Sequence, residues 1–571
     1  MSNNNLACVS SSRRNMLKGS MMAAGSGLLA TKLVSAPASA SDAVSPRTTP
    51  FVERLPVYSP KAPVSQLYPP AQPVAMGDEC GRLDHQRWAD FPVNKFYELD
   101  VKQGLHSFHR DLPTQAVWGY DGIVPGPTFV ARYGEPVIVR IHNNLPQNHV
   151  GFGSPEISTH LHNLHNASES DGFTGDYYSP LKAGPTMTAP GKYKDHLYAN
   201  CLAGYDQYHE TYGDPREALG TLWYHDHRMD FTAPNVYRGL SGFYLLFDDI
   251  DSGNENDPDP KALRLPSGVG KYDIPLVFQD KQFKANGIMT FDPFESDGFL
   301  GDKFCVNGKI QPFYPVEARK YRFRMLNGSL SRFYEFYLVL NGANQDFTYI
   351  ANDGNLLEAP LSMRKVRLAP AERADIVIDF SQYPIGTKLY LVNKLEQTSG
   401  RGPSGKILSP GTQILRFDVA ANPPVADASR IPATLRPQPP IPSAEELKRL
   451  PRRVWSFDRS NGGWTVNGKL FDVRSVSAKP RLGTQEVWVL RSSGNWSHPI
   501  HIHFEEGRIL SRNGKAPPLH ERGRKDVYVI GPSEELQLFM NFRDYTGKYM
   551  MHCHNLIHED HAMMVRWDVV A

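Results

Sequence analysis

Histidine is missing from the middle of this sequence. All 20 histidines lie at or before His227 or at or after His498, and the 270 residues between them carry none. Imidazole is the commonest protein metal ligand, so metal chemistry is expected only from the two ends of the chain. Cysteine is scarce, at five in 571 residues, which excludes a disulfide scaffold. Neither charge dominates: Lys+Arg 62 against Asp+Glu 60 leaves a formal +2, without the basic footprint of a nucleic-acid binder. Beyond residue 40 no apolar run is long enough to cross a bilayer, so no stable membrane insertion is expected.

What is present points to a β-rich protein of several domains. The length exceeds what one core serves, and 46 Gly with 46 Pro imply many turns and short strands. Residues 1–40 read as a twin-arginine export signal. Ser12-Arg13-Arg14-Asn15-Met16-Leu17-Lys18 is followed by a mildly apolar run and by Ala38-Ser39-Ala40, a small-x-small cleavage site. Its removal takes four basic residues and no acid, and the formal charge falls to −2. The expected partner is the twin-arginine export machinery and the expected location periplasmic or extracellular. Of the mature cysteines, Cys80 and Cys201 are the expected disulfide, with Cys305 left over.

Residues 41–94 read as an N-terminal arm. A similar phrase, a Gly-marked turn followed by an alternating strand, occurs at Gly122, Gly308 and Gly468. That spacing fits three copies of one β-sandwich, over 95–250, 270–420 and 445–571, with a Pro-rich linker at 421–444. Glu445 to Leu450 reads as a short helix at the end of the linker.

Chemistry concentrates in Met551-His552-Cys553-His554-Asn555-Leu556-Ile557-His558, which continues to Met563. One thiolate, two imidazoles and a distant thioether form the ligand set of a blue-copper site. Four His-x-His pairs occur (His160/His162, His225/His227, His501/His503 and His552/His554), where about one is expected by chance. Residues two apart on a strand share a face. Cys553 therefore faces away from His552 and His554. By the same parity His498 faces away from His501 and His503. This assigns His498, Cys553 and His558 to one copper, with Met563 as weak axial ligand. Eight imidazoles then remain for a three-copper cluster between the outer domains.

In the order and spacing of these motifs the chain resembles a three-domain multicopper oxidase, over about residues 95–571. Its C-terminal motif and Tyr237-Arg238-Gly239 resemble the branch of bilirubin oxidases and spore-coat laccases. The resemblance implies an all-β fold of three cupredoxin-like Greek-key sandwiches and four copper ions: one type 1, one type 2 and a type 3 pair. It implies type 2 ligands His160 and His501. His162, His225, His227, His503, His552 and His554 are then type 3 ligands. Asp171 and Glu559 match acidic positions that assist proton delivery in that branch. The implied activity is one-electron oxidation of a small-molecule donor, phenolic, aryl amine or tetrapyrrole, coupled to four-electron reduction of O2 to water. Alternatives are an exported oxidase of Cu(I), Mn(II) or Fe(II), or a copper-sequestering protein. The ordinary methionine count, 15 with no clustered insert, argues against a dedicated cuprous oxidase. Asn163 stands where that family usually has Gly. His165 and His561 are read as neighbours and not ligands, because the ligand count is already full.

Overall fold

The computed structural model describes residues 44–72, 74–79, 82–174, 187–460 and 462–571. The export signal, Cys80 and residues 175–186 lie outside them. Almost all regular structure is β, arranged as three successive pairs of sheets.

The three sheet pairs repeat one wiring. In the first, Lys95–His106 pairs antiparallel with Gln115–Tyr120 and parallel with Val137–Asn144, while Gly126–Arg132 pairs parallel with Ser241–Phe247 in the facing sheet. In the second, Asp273–Phe283 pairs antiparallel with Lys303–Val306 and parallel with Lys320–Asn327, and Phe313–Glu317 pairs parallel with Ile407–Ala421. In the third, Arg452–Ser460 pairs antiparallel with Gly463–Val466 and parallel with Gln485–Arg491, and Val476–Ala478 pairs parallel with Met564–Val569. Parallel neighbours inside short-looped sandwiches need crossovers between sheets, which is Greek-key wiring. The recurring Gly markers are the same turn each time. Asp121-Gly122, Asn307-Gly308 and Asn467-Gly468 all take positive φ at both residues, the backbone twist that suits a tight β turn. Asn and Asp tolerate it, and Gly has no Cβ to clash.

Each sandwich buries its own core. Leu99, Val139, Leu161 and Tyr224 pack in the first, Ile274, Phe323, Ile376 and Phe417 in the second, and Trp488, Ile500, Leu538 and Trp567 in the third. The helix of Ala444–Arg449 starts on a capping box between Ser443 and Glu446. Residues 44–72 form a strap. Leu55 N–H donates to the Phe313 carbonyl, and Val64 N–H to that of Phe96, tying the second sandwich to the first. Cys201 corrects the disulfide expectation: it is a buried free thiol beside the Tyr545 hydroxyl, at 3.5 Å. It packs in the core of the third sandwich, so its spacing to Cys80 in sequence has no bearing on its environment.

The ends of the chain meet. Strand Thr159–His162 lies against Thr221–Asp226 with His160 opposite His225, and strand His498–Ile502 lies against Gly547–Cys553 with His501 opposite His552. These two ribbons face each other. The short helix Thr232–Arg238 docks on the short helix Leu556–Asp560, where both Asp560 carboxylate oxygens accept backbone N–H groups of Thr232 and Ala233 at 2.9 and 3.0 Å.

Candidate metal centre

Strand geometry sorts the donors as parity requires. Cys553 Sγ lies 3.5 Å from His498 Nδ1 and 3.5 Å from His558 Nδ1, and the two nitrogens are 3.3 Å apart. All three side chains are fully buried. The other edge of His558 is fixed: Nε2 donates to the Asp297 carbonyl at 3.0 Å, which leaves the Nδ1 lone pair facing the triangle. Trp464 stacks on the His558 ring at 3.7 Å, its own N–H donating to the Ser296 carbonyl. Met563 is buried beside the triangle, with its N–H on the His558 carbonyl and its carbonyl accepting from Cys553 N–H. Burial holds His498 down to about 3, so it stays neutral and able to bind a metal. Burial pushes the Cys553 thiol up, and a bound cation would displace that proton.

The eight remaining imidazoles meet on the opposite face of the ribbon. His227, His503 and His552 bring three Nε2 atoms together, with His552 Nε2 3.2 Å from each of the other two. His160 Nε2 and His501 Nε2 stand 3.4 Å apart. His162, His225 and His554 form a third group with donor atoms within 4.8 Å of one another. Outer partners set most of the ring orientations. His160 Nδ1 donates to the Asp171 carbonyl at 2.5 Å, His225 Nδ1 to the Asp226 carbonyl at 2.9 Å, and His501 Nδ1 to the Asp526 carbonyl at 3.0 Å. The Asp171 carboxylate takes His503 Nδ1 at 2.7 Å. Glu559 lies against two rings of one group, 2.9 Å from His552 Nδ1 and 3.3 Å from His227 Nδ1. Burial acts to raise its carboxyl, but His552 and His227 prevail and hold it at about 2.

Protein contacts alone do not account for this arrangement. His162 Nδ1, His225 Nε2 and both ring nitrogens of His554 are buried without a hydrogen-bond partner. Each such atom costs about 1–3 kcal/mol, and here they converge. Neutral imidazoles with one thiolate and one thioether suit copper; a hard cation would require oxygen ligands. The residues therefore fit copper.

A multicopper oxidase model matches residues 446–571, and a second matches 101–213. A bilirubin oxidase from Albifimbria verrucaria is 35% identical over 538 residues, covering 92% of this chain and 84% of that one. The chain belongs to the multicopper oxidases. A laccase from Bacillus subtilis is 32% identical, covering 83% of this chain and 94% of that one. The fold matches a crystal structure of a multi-copper oxidase from Pediococcus acidilactici at TM-score 0.70 and 22% identity, over 92% and 93% of the two chains.

Within this multicopper oxidase every histidine singled out from the sequence lies in one of the two clusters, and His165 and His561 lie outside them. His165 sits 2.8 Å from Asp544 and stacks on Phe504, while His561 Nδ1 meets the Ile557 carbonyl. Asn163 takes φ 80°, which explains why a Gly-type position admits Asn. Its amide also donates to the Asp353 carbonyl and to Glu506, both at 2.8 Å. Sequence reasoning missed Asp526, Arg373 and Trp464. Arg524-Lys525-Asp526 reads as an ordinary surface charge run, yet Asp526 is fully buried 2.6 Å from His162 Nε2. Burial in the bare chain raises its carboxyl, with Arg373 acting against that.

Proposed function

We propose that this multicopper oxidase takes electrons singly from small aromatic donors (phenols, aryl amines or tetrapyrroles) and passes them to O2, which it reduces to water. One observation carries this reading. Cys553 belongs to the thiolate triangle, and its chain neighbours His552 and His554 belong to the imidazole cluster. The copper ions supply the one-electron redox steps and the O2 binding. His498, Cys553 and His558, with Met563 beside them, would hold type 1 copper at the collecting end. His160 and His501 would hold type 2, and the trios His162/His225/His554 and His227/His503/His552 would hold the type 3 pair. Asp171 and Glu559 orient the imidazoles and stand where protons for O2 reduction are needed.

Support for aromatic donors comes from the surroundings of His558. Trp464 meets half-buried Trp496 edge-on at 5.2 Å. Arg401 lies over the Trp496 ring and Arg459 over the Trp464 ring. Planar π-rich molecules pair well with such surfaces. The twin-arginine signal in residues 1–40 supports export through that machinery to a periplasmic or extracellular site.

The test is oxygen uptake by the copper-loaded protein with a phenol, an aryl amine, bilirubin, Mn(II) and Cu(I) in parallel. Uptake with the organic donors is expected; uptake with the metal ions alone overturns the donor class. In Cys553→Ser the blue absorption and donor oxidation are expected to vanish while copper in the cluster remains. A blue Cys553→Ser protein would refute the ligand assignment.

A further inference from the structure

One buried cation of the first sandwich has no counter-charge. Arg238 ends the short helix Thr232–Arg238 and is 5% exposed. Buried arginines elsewhere are matched by carboxylates: Arg140 by Asp195, Arg322 by Asp375, Arg324 by Asp273, Arg373 by Asp526 and Arg543 by Glu217, at 2.6 to 2.8 Å. Such matching is what makes a buried charge tolerable. Arg238 is paired with no carboxylate among the described residues. Burial, with no neighbouring charge acting against it, pushes its guanidinium down to about 10. Glu156, the acid closest to this loop in sequence, is turned to Arg228 and to the Ser154 hydroxyl.

The surroundings hold the guanidinium by one nitrogen only. Nη1 donates to the Phe152 carbonyl at 2.8 Å and lies 3.4 Å from His149 Nδ1, while the group as a whole lies over the Trp118 ring at 3.9 Å. The loop that carries His149 and Phe152 is built to come this close. Gly151 and Gly153 both take φ 99°, and a Cβ at Gly153 would meet Asn235 Oδ1 at 2.8 Å and the Trp118 ring at 2.9 Å. The other edge of the guanidinium, Nε with Nη2, meets no acceptor among the described residues. That same edge takes a carboxylate bidentately elsewhere in this protein: Arg140 on Asp195 at 2.7 and 2.8 Å, and Arg324 on Asp273 with both bonds at 2.8 Å. Trp118 adds an indole Nε1 that is buried without a partner. The recess therefore gathers hydrogen-bond donors and one cation, and its one acceptor, the Phe152 carbonyl, is already used.

We propose that Arg238 anchors an anion-binding site, in which its free Nε/Nη2 edge takes the carboxylate of a small molecule, or an oxyanion of like geometry such as sulfate, through two parallel hydrogen bonds. A planar guanidinium matches such ligands two bonds at a time. The ligand's charge supplies what the described residues lack, and so offsets the cost of burying this cation. None of the residues named for the site belongs to either metal cluster, and the proposal does not depend on the copper reading. By its other end the same helix docks on Leu556–Asp560, which carries His558, so a ligand bound at Arg238 stabilises an element that buttresses the thiolate triangle.

The experiment titrates sodium acetate, sodium sulfate and sodium chloride into full-length, copper-loaded protein at constant ionic strength, by calorimetry and with thermal unfolding in parallel. Saturable binding of acetate or sulfate, with a raised unfolding midpoint, is expected. Chloride has no second oxygen to span the fork and is expected to bind at least about tenfold more weakly. Binding of acetate alone identifies an organic carboxylate as the ligand, and binding of sulfate alone an inorganic oxyanion. Arg238→Met is expected to lose the saturable binding. Should that variant not fold, Arg238→Lys keeps the charge without the fork and is expected to weaken binding about tenfold or more. Anions held by the copper ions would bind parent and variants alike, which separates them from this site. Acetate or sulfate bound by a folded Arg238 variant as tightly as by the parent overturns the inference. Absence of saturable binding of either anion by the parent overturns it too, as does chloride binding as tightly as both.

Discussion

At the scale of single residues, burial decides what each donor can do. His498 is held neutral by desolvation alone, so acid does not protonate it within the working range of most enzymes. Asn163 shows a different constraint: positive φ with two amide bonds, to Asp353 and to Glu506. Asn163→Ala is expected to destabilise the fold by about 2–4 kcal/mol, from the left-handed backbone and the stranded acceptors. Asn163→Gly should lose less, since it keeps the backbone relaxed. Denaturant unfolding of both variants checks the order. The donors themselves are legible in the amino-acid sequence, because a strand's two-residue period and the His-x-His spacing fix which side chains share a face. Asp526, Arg373 and Trp464 are not. Their neighbours along the chain are ordinary charged or alternating residues, and they become part of the centre only when three sandwiches close over them.

At the scale of elements, short pieces carry contacts out of proportion to their length. Leu556–Asp560 is one turn and a half of helix, yet it supplies His558 to the triangle, Glu559 to the cluster and Asp560 to another helix. Asp560 caps Thr232–Arg238 as an N-cap side chain would, but from the opposite end of the chain. Asp560→Ala should therefore cost about 1–2 kcal/mol. It should also speed hydrogen exchange at the Thr232 and Ala233 amides; unchanged exchange there would rule out the capping role. A cap supplied from so far along the chain leaves no local signature, so the residues around Thr232 do not announce it. The Gly-marked turns do announce themselves, because a positive-φ pair demands particular residues wherever it occurs.

At the scale of the whole molecule, buried ion pairs join the first and third sandwiches. Glu217 accepts from Arg543 and Arg524, all three almost inaccessible to solvent. Burial acts to raise the Glu217 carboxyl, but the two guanidiniums outweigh it and hold it at about 2. A depressed carboxyl contributes stability above its ordinary value near 4.5 and loses it as pH falls from there through about 2. Glu217→Gln should thus cost about 3–5 kcal/mol near neutrality by stranding buried charge. The gap to the parent should narrow as pH drops below 4.5 in thermal unfolding; a gap independent of pH would contradict the assignment. The gap of 270 residues without histidine also has a consequence for how the protein is made. A ribosome emits His160 to His227 first, then the silent sandwich, and only near the end the thiolate and its neighbours. A chain interrupted anywhere before His498 holds only His160, His162, His225 and His227 of the eight cluster imidazoles and none of the triangle. Both centres are therefore assembled only when the last sandwich has been made.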